Sequence, residues 1–442
     1  MSTASARRCA FCNAPCRRTS SSPKRQTPGS CCRSLVADGG AAGRRVARVA
    51  ARGSLLLVLA AIPAGVSPAV AQGGAGVAPR VLLVGPDRAL KTPSGAAAVA
   101  RDGDTIRIDA GEYIGDFAVW RRNGLTIEAA GGEVRLVAPA GPEFQRPGIW
   151  VVRGNDTVIA GIAFSGARSA QHNGAGIRLF GRNLTVRRCS FRDNEMGLLT
   201  WRDAESEVTV EHSVFIGNAA NYERHGRLGH QLYVGAIRRL TLRYSYFDKP
   251  SVGHNVKSRA AENLILYNRI VDGANGGGSY LIDLPNGGAA VVMGNELRKG
   301  AHAENEAAIA FAAEGERRPG AGLFVVNNTF VNARLLGVFV RNFSAATPAR
   351  IVNNLIAGPA VLAEGLSNAQ RNLHADPAAF VDLPGGDLRL APGVGAVDTG
   401  VRLEPAGGFV LVPDAAYSHP AGRAPRIVHG AIDLGAHEFA PR

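Results

Sequence analysis

In Val256-Lys-Ser-Arg259 a lysine and an arginine stand two residues apart, and in a strand such residues face the same side. Tyr233 in Leu232-Tyr-Val-Gly235 and Asp283 in Leu281-Ile-Asp-Leu284 sit in the same apolar frame. Taking a proton from the carbon next to a carboxylate requires a cation to neutralise the carboxylate, a base for the proton and an acid for any leaving oxygen. Lys257 suits the base and Arg259 the cation, because like charge and partial burial are expected to lower the lysine while the arginine stays charged. Tyr233, His254 or His230 could supply the acid. Asp283 and Asn286 are candidates for orienting a sugar, Trp201 with Tyr233 for stacking on one, and Arg341 for a further cationic contact. A simpler reading stands beside this one, in which Lys257, Arg259 and Asp283 form only a solvated cross-strand charge cluster.

These residues converge only if something brings positions 233, 257 and 283 together. Apolar anchors recur at Phe164, Phe191, Phe215, Phe247, Ile270, Leu297, Phe330 and Ile356, spaced 23 to 33 residues apart. Five residues before the last seven stand Val186, Val210, Leu242, Ile265, Val292, Val325 and Ile351. Asn268, Asn295, Asn328 and Asn354 lie two residues before the last four, at corners where asparagine tolerates left-handed backbone and could form an amide ladder. Short strands, Asn and Gly corners and this period predict an all-β fold, a single parallel β-solenoid. A leucine-rich repeat frame is absent. Fixing the apolar set inward turns Tyr233, Lys257 with Arg259, and Asp283 outward on three neighbouring coils, about 4.8 Å apart, with Arg341 two coils beyond. Insertions at His225–Gln231, Ala301–Glu306 and Glu314–Gly320 are expected to become loops near these coils.

A helical stretch around Ser94 to Ala100, followed by strand, tight turn and strand over Asp102–Tyr113, reads as an N-terminal cap. Together with the coils and the ending Asp387-Leu-Arg-Leu-Ala-Pro-Gly393 through Ile432-Asp-Leu-Gly-Ala-His-Glu438, this resembles the bacterial right-handed parallel β-helix repeat family, the pectate-lyase-like superfamily. The resemblance spans about residues 80 to 440 and implies the fold more than the reaction. Around Lys257-Ser258 and Asn263 the chain resembles the lysine-bearing coil of β-helical chondroitin and alginate lyases, which implies Lys257 as base. Those lyases carry a Leu-Arg-His-Gly setting on the next coil, where this chain has Ile282-Asp-Leu-Pro-Asn-Gly287, and a Glu-x-Glu calcium pair upstream, where it has Pro250-Ser-Val252. No cofactor is therefore expected, calcium lacks its carboxylate pair, and Arg259 or Arg341 has to neutralise the substrate.

The formal charge of +14 belongs mostly to the first 72 residues, which hold 11 Lys+Arg and one acid, leaving 39 against 35 afterwards. No basic stripe interleaved with aromatics remains, which argues against nucleic acid as a partner. Residues 1–43 read as a disordered or misassigned extension. Residues 44–71, with Arg44, Arg45, Arg48 and Arg52 before the apolar run Leu55–Ile62 and Ala69-Val-Ala71, read as an export signal too short to span a bilayer. The mature domain, 72–442, is expected to be secreted or periplasmic, free of membrane insertion and monomeric. A Cys-x-x-Cys at Cys9 and Cys12 lies in the extension, and Cys189 alone remains in the body. The functional expectation is an anionic-polysaccharide lyase or epimerase. The alternatives are a non-catalytic glycan-binding or surface protein and, below it, a glycoside hydrolase, which would want a second carboxylate beside Asp283.

Overall fold

The computed structural model describes residues 79–273 and 276–440, within one compact unit, Gly74–Arg442. The expected leader, 1–43 and 44–71, lies outside the described residues.

The repeated apolar positions fall into register coil by coil. Phe164, Phe191, Phe215 and Phe247 pair with one another and then with Ile270, Leu297, Phe330 and Ile356. Val186, Val210, Leu242, Ile265, Val292, Val325 and Ile351 do the same one face away. The four phenylalanines stack with ring centroids 5.3, 4.5 and 4.6 Å apart, and each is buried. Burying each such side chain contributes roughly 1.5–3 kcal/mol, so the stack alone is a large part of the core.

The coils build a parallel β-helix. A ten-stranded sheet runs from Ala118–Trp120 through Gly148–Val152, Ala175–Leu179, Met196–Thr200, Leu232–Val234, Val256–Ser258, Ile282–Leu284, Ala307–Phe311 and Gly337–Asn342 to Ala360–Glu364. A 21-stranded sheet supplies the other two faces. All rungs are parallel; the antiparallel pairs lie in the C-terminal segment, at Phe380–Asp382 with Asp387–Leu390 and Ala415–Ser418 with Gly422–Pro425.

The helix at the N-terminal end spans Pro93–Val99, with Thr92 capping it and proline in its first turn. The strand, tight turn and strand expected over Asp102–Tyr113 are not two strands: after the turn at Gly103 one strand runs Thr105–Ile114, its register shifting between Asp109 and Gly111. The asparagine ladder is present and longer than expected. The side-chain amides of Asn268, Asn295, Asn328 and Asn354 each donate to the next carbonyl oxygen, at 2.9–3.0 Å, ending on Asn372. The left-handed corner, however, falls one residue earlier, at Tyr267, Gly294, Asn327 and Asn353. The ladder asparagines are therefore selected for inward bonding rather than for positive φ.

After the last coil the chain turns back along the tube. Leu403, Leu411 and Ala415 cover Tyr244, Tyr267, Val291, Met293 and Phe324 on one face, while Leu388, Leu390, Ala396 and Leu434 cover Val331, Leu355 and Ala357 on another. These packed clusters lie on the faces of the 21-stranded sheet, and the ten-stranded face carries the charged row.

Candidate active site

On the ten-stranded face Leu232, Val256 and Ile282 pair inward, so Tyr233, Lys257 and Asp283 are cross-strand neighbours outward. The row continues through Ala310 to Arg341 and Glu364. Strict alternation gives way near that end: Phe339 joins Val340 in the main core cluster, stacked on Phe330, while Val338 is buried outside that cluster.

The three residues form one bonded cluster with Arg259. Lys257 Nζ donates to Asp283 Oδ2 at 2.8 Å and to Glu314 Oε1 at 3.2 Å. Arg259 donates from Nε to the Tyr233 hydroxyl at 3.0 Å and from Nη1 to Asn286 Oδ1 at 2.7 Å. Its Nη1 and Nη2 also grip Glu314 Oε2 and Oε1 at 2.8 and 2.9 Å, a two-pronged guanidinium–carboxylate pair. Asn286 Nδ2 and Asp283 Oδ1 are buried beside this cluster without a protein partner.

Glu314 is the residue that reading the sequence missed. The insertion at 314–320 was visible as a departure from the period, but nothing in spacing says that its first residue folds back. Ala312 adopts a left-handed conformation, and the Glu314 N–H donates to the Pro285 carbonyl, tucking the carboxylate over the site. Asp283 therefore does have a neighbouring carboxylate, against the expectation that it stands alone. Both carboxylates are committed to Lys257, and the pair Arg259 makes with Glu314 lowers that glutamate to about 2.

The electrostatics also reverse one expectation. Burial pulls the Lys257 ammonium down, but attraction to Asp283, its hydrogen bond and Glu314 together outweigh burial, and the lysine is raised rather than lowered. Burial raises Asp283 against the opposing pull of Lys257. Lys257 points out of the tube yet is only 9% exposed, because the Glu314 turn lies over it.

His230 stacks on His254 and His254 on Tyr280, with centroids 4.9 and 5.2 Å apart. Each Nδ1 accepts a backbone N–H from the next coil, His230 from His254 and His254 from Tyr280. That leaves the ring proton on Nε2, and His254 Nε2 lies 3.3 Å from Asp283 Oδ2. Burial, then nearby positive charge, pushes His254 well below the usual histidine value and His230 to about 3. Both rings are neutral braces of the site, not charged acids.

Beside the cluster runs a cavity of about 690 Å³, lined by Trp201, Tyr233, His230 and four arginines, Arg178, Arg202, Arg227 and Arg259, with no Asp or Glu in its walls. Trp201 is 53% exposed there. Arg341 does not join the site: Glu306 and Glu364 hold it at 2.7 and 2.6 Å, two coils away. Among the described residues no group of three or more His, Cys, Asp or Glu side chains is arranged for a metal ion. Cys189 is a buried free thiol, raised to about 12 by burial.

The fold is that of a solved parallel β-helix. Pectate lyase Pel9A superposes with a TM-score of 0.61 at 17% identity, over 83% of this chain and 98% of that one. An alginate lyase from Paenibacillus sp. str. FPU-7 matches with a TM-score of 0.39 at 15% identity, over 66% and 99% of the two chains. The A-module of the Azotobacter vinelandii mannuronan C-5 epimerase AlgE6 matches with a TM-score of 0.32 at 15% identity, over 64% and 93%. No protein-family model and no curated protein sequence matches the chain. At 17% identity the likeness to the pectate lyase speaks for the parallel β-helix alone.

Proposed function

We propose that the protein acts on an anionic, uronate-containing polysaccharide as a lyase or a C5-epimerase, at the Lys257–Arg259 cluster. The observation that carries this reading is that Arg259 and Lys257 already converge on one carboxylate, that of Glu314, in a geometry a sugar carboxylate can adopt. The adjoining arginine-lined cavity with exposed Trp201 suits the rest of a polyanionic chain.

In this reading Arg259 neutralises the substrate carboxylate, which makes the neighbouring C5 proton more acidic. Lys257, in its unprotonated form, takes that proton. The electron pair then forms the C4–C5 double bond as the C4–O bond breaks, and the Tyr233 hydroxyl, 3.0 Å from Arg259, protonates the leaving oxygen. In an epimerase the proton instead returns to the opposite face of C5 and no C–O bond breaks. Asp283 and Asn286 orient Lys257 and Arg259, His254 braces Asp283, and Trp201 supports a sugar further along the cavity. His254 as proton donor is weakened by its neutral, doubly engaged ring. We further infer that the mature chain is exported and monomeric.

The test is to incubate the mature protein with pectate, alginate and other uronate polymers, following absorbance of the unsaturated product and proton exchange at C5 by NMR. Absence of both on every polymer, or full activity in Lys257→Ala, refutes the proposal. The raised, ion-paired lysine favours a second reading, a glycan-binding protein without chemistry. In that case Arg259→Ala abolishes retention on immobilised polymer and the wild type leaves the polymer intact.

A further inference from the structure

Glu314 sits where the proposed substrate carboxylate belongs. Its side-chain hydrogen bonds among the described residues run only to Lys257 and Arg259, and the side chain is 42% exposed although Lys257 and Asp283 beneath it are buried. The turn that carries it is moored without that carboxylate. Arg317 and Arg318 donate backbone N–H groups to the Asn286 carbonyl, and Glu316 accepts from the hydroxyls of Ser344 and Thr347. The one contact that can be exchanged without unfastening the loop is therefore the contact on the two cations.

We propose that Glu314 is an internal stand-in for the sugar carboxylate, which keeps Lys257 and Arg259 together and which an incoming uronate must displace. The inference rests on the reading of this cluster as a uronate site. Displacement exchanges one carboxylate for another, so the cations remain paired throughout. A neutral sugar cannot make that exchange, because it would leave the Arg259 guanidinium without a carboxylate and Lys257 with Asp283 alone. The same residue thus sets the requirement for a carboxylate on the sugar and holds the resting site closed.

The experiment uses trisaccharides of galacturonate, mannuronate and guluronate, with galactotriose as the neutral control, titrated calorimetrically into wild type, Glu314→Gln, Glu314→Ala and Arg259→Ala. Both Glu314 variants are expected to bind a uronate trisaccharide about tenfold more tightly than wild type, since the competing charge-assisted bond is gone. The preference for uronate over galactotriose is expected to narrow as the neutral ligand gains. Adding Arg259→Ala to Glu314→Gln is expected to erase the gain. Weaker binding in Glu314→Gln would overturn the inference by making Glu314 a direct sugar contact, and unchanged binding would overturn it by showing that the carboxylate is not in the way. If wild type binds, Arg259→Ala does not, and Glu314→Gln brings no gain, the stand-in fails while the uronate site survives. If no folded variant binds any uronate trisaccharide, both fall together.

Discussion

Lys257 shows how an outward residue becomes a buried one. Its strand position turns it away from the core, yet Asp283 from the next coil and Glu314 from an inserted turn enclose its ammonium. Its raised ionisation has a definite consequence. A base works only after losing its proton, and this lysine loses it above the ordinary lysine value, so kcat/KM for elimination or exchange should climb with pH well into the alkaline range. Lys257→Ala should lower kcat by about 10²–10⁴-fold and flatten that climb; a plateau already reached at neutral pH in the wild type would exclude the lysine as base. Arg259 makes a different demand, because three of its nitrogens are used at once. Arg259→Lys should therefore behave nearly as badly as Arg259→Ala in uronate binding, by about tenfold or more, since an ammonium cannot reproduce the planar fork.

At the level of elements, three-residue strands do the positioning, and the loops between them decide what reaches the site. The turn around Glu314 supplies a carboxylate, and the segment after Met196–Thr200 supplies Trp201 to the wall of the arginine-lined cavity. Trp201→Ala should raise KM for long polymers about fivefold, the equivalent of about 1 kcal/mol of aromatic contact, with kcat little changed; kinetics on chains of increasing length would check this. The first coil has its own fastening. Asp104 accepts from the Arg80 guanidinium and from the backbone N–H groups of Arg80 and Arg101, and these bonds hold it down to about 2 against its burial. Because its folded value lies below the unfolded one, this contribution is complete above about pH 4 and disappears as pH falls through about 2. Asp104→Asn should release the strand Val81–Val84 at neutral pH, seen as earlier amide exchange there, at a cost of about 1.5–3 kcal/mol.

For the whole molecule, stability lies in stacking. The aromatic column and the asparagine ladder link each coil only to its neighbours, so damage in mid-stack should divide the tube. Asn295 donates to the Ile265 and Met293 carbonyls and to Asn328, and accepts from Asn268. Asn295→Ala should cost on the order of 3 kcal/mol by leaving these buried groups unpaired. Urea unfolding should then lose its single transition or shift its midpoint clearly downward. The returning C-terminal segment covers the apolar outward residues of the other two faces and leaves the ten-stranded face to carry the charged row.

The register was legible in the sequence because a solenoid repeats one local rule: apolar residues inward every second position, at a near-constant period. That rule alone put Tyr233, Lys257 and Asp283 on adjacent coils and placed the asparagines on one line. It could not say what the insertions do, because a loop's path depends on corners such as Ala312 and on carbonyls such as that of Pro285, which carry no periodic signal. Asn372 escaped for a related reason, since only 18 residues separate it from Asn354 and the period breaks there. Tertiary structure alone decided that Glu314 lies on Lys257 and Arg259, that Arg341 is held between two glutamates, and that the lysine's ionisation rises instead of falling. Charge–charge energies are set by distances across coils and loops, and those distances exist only once the chain is wound.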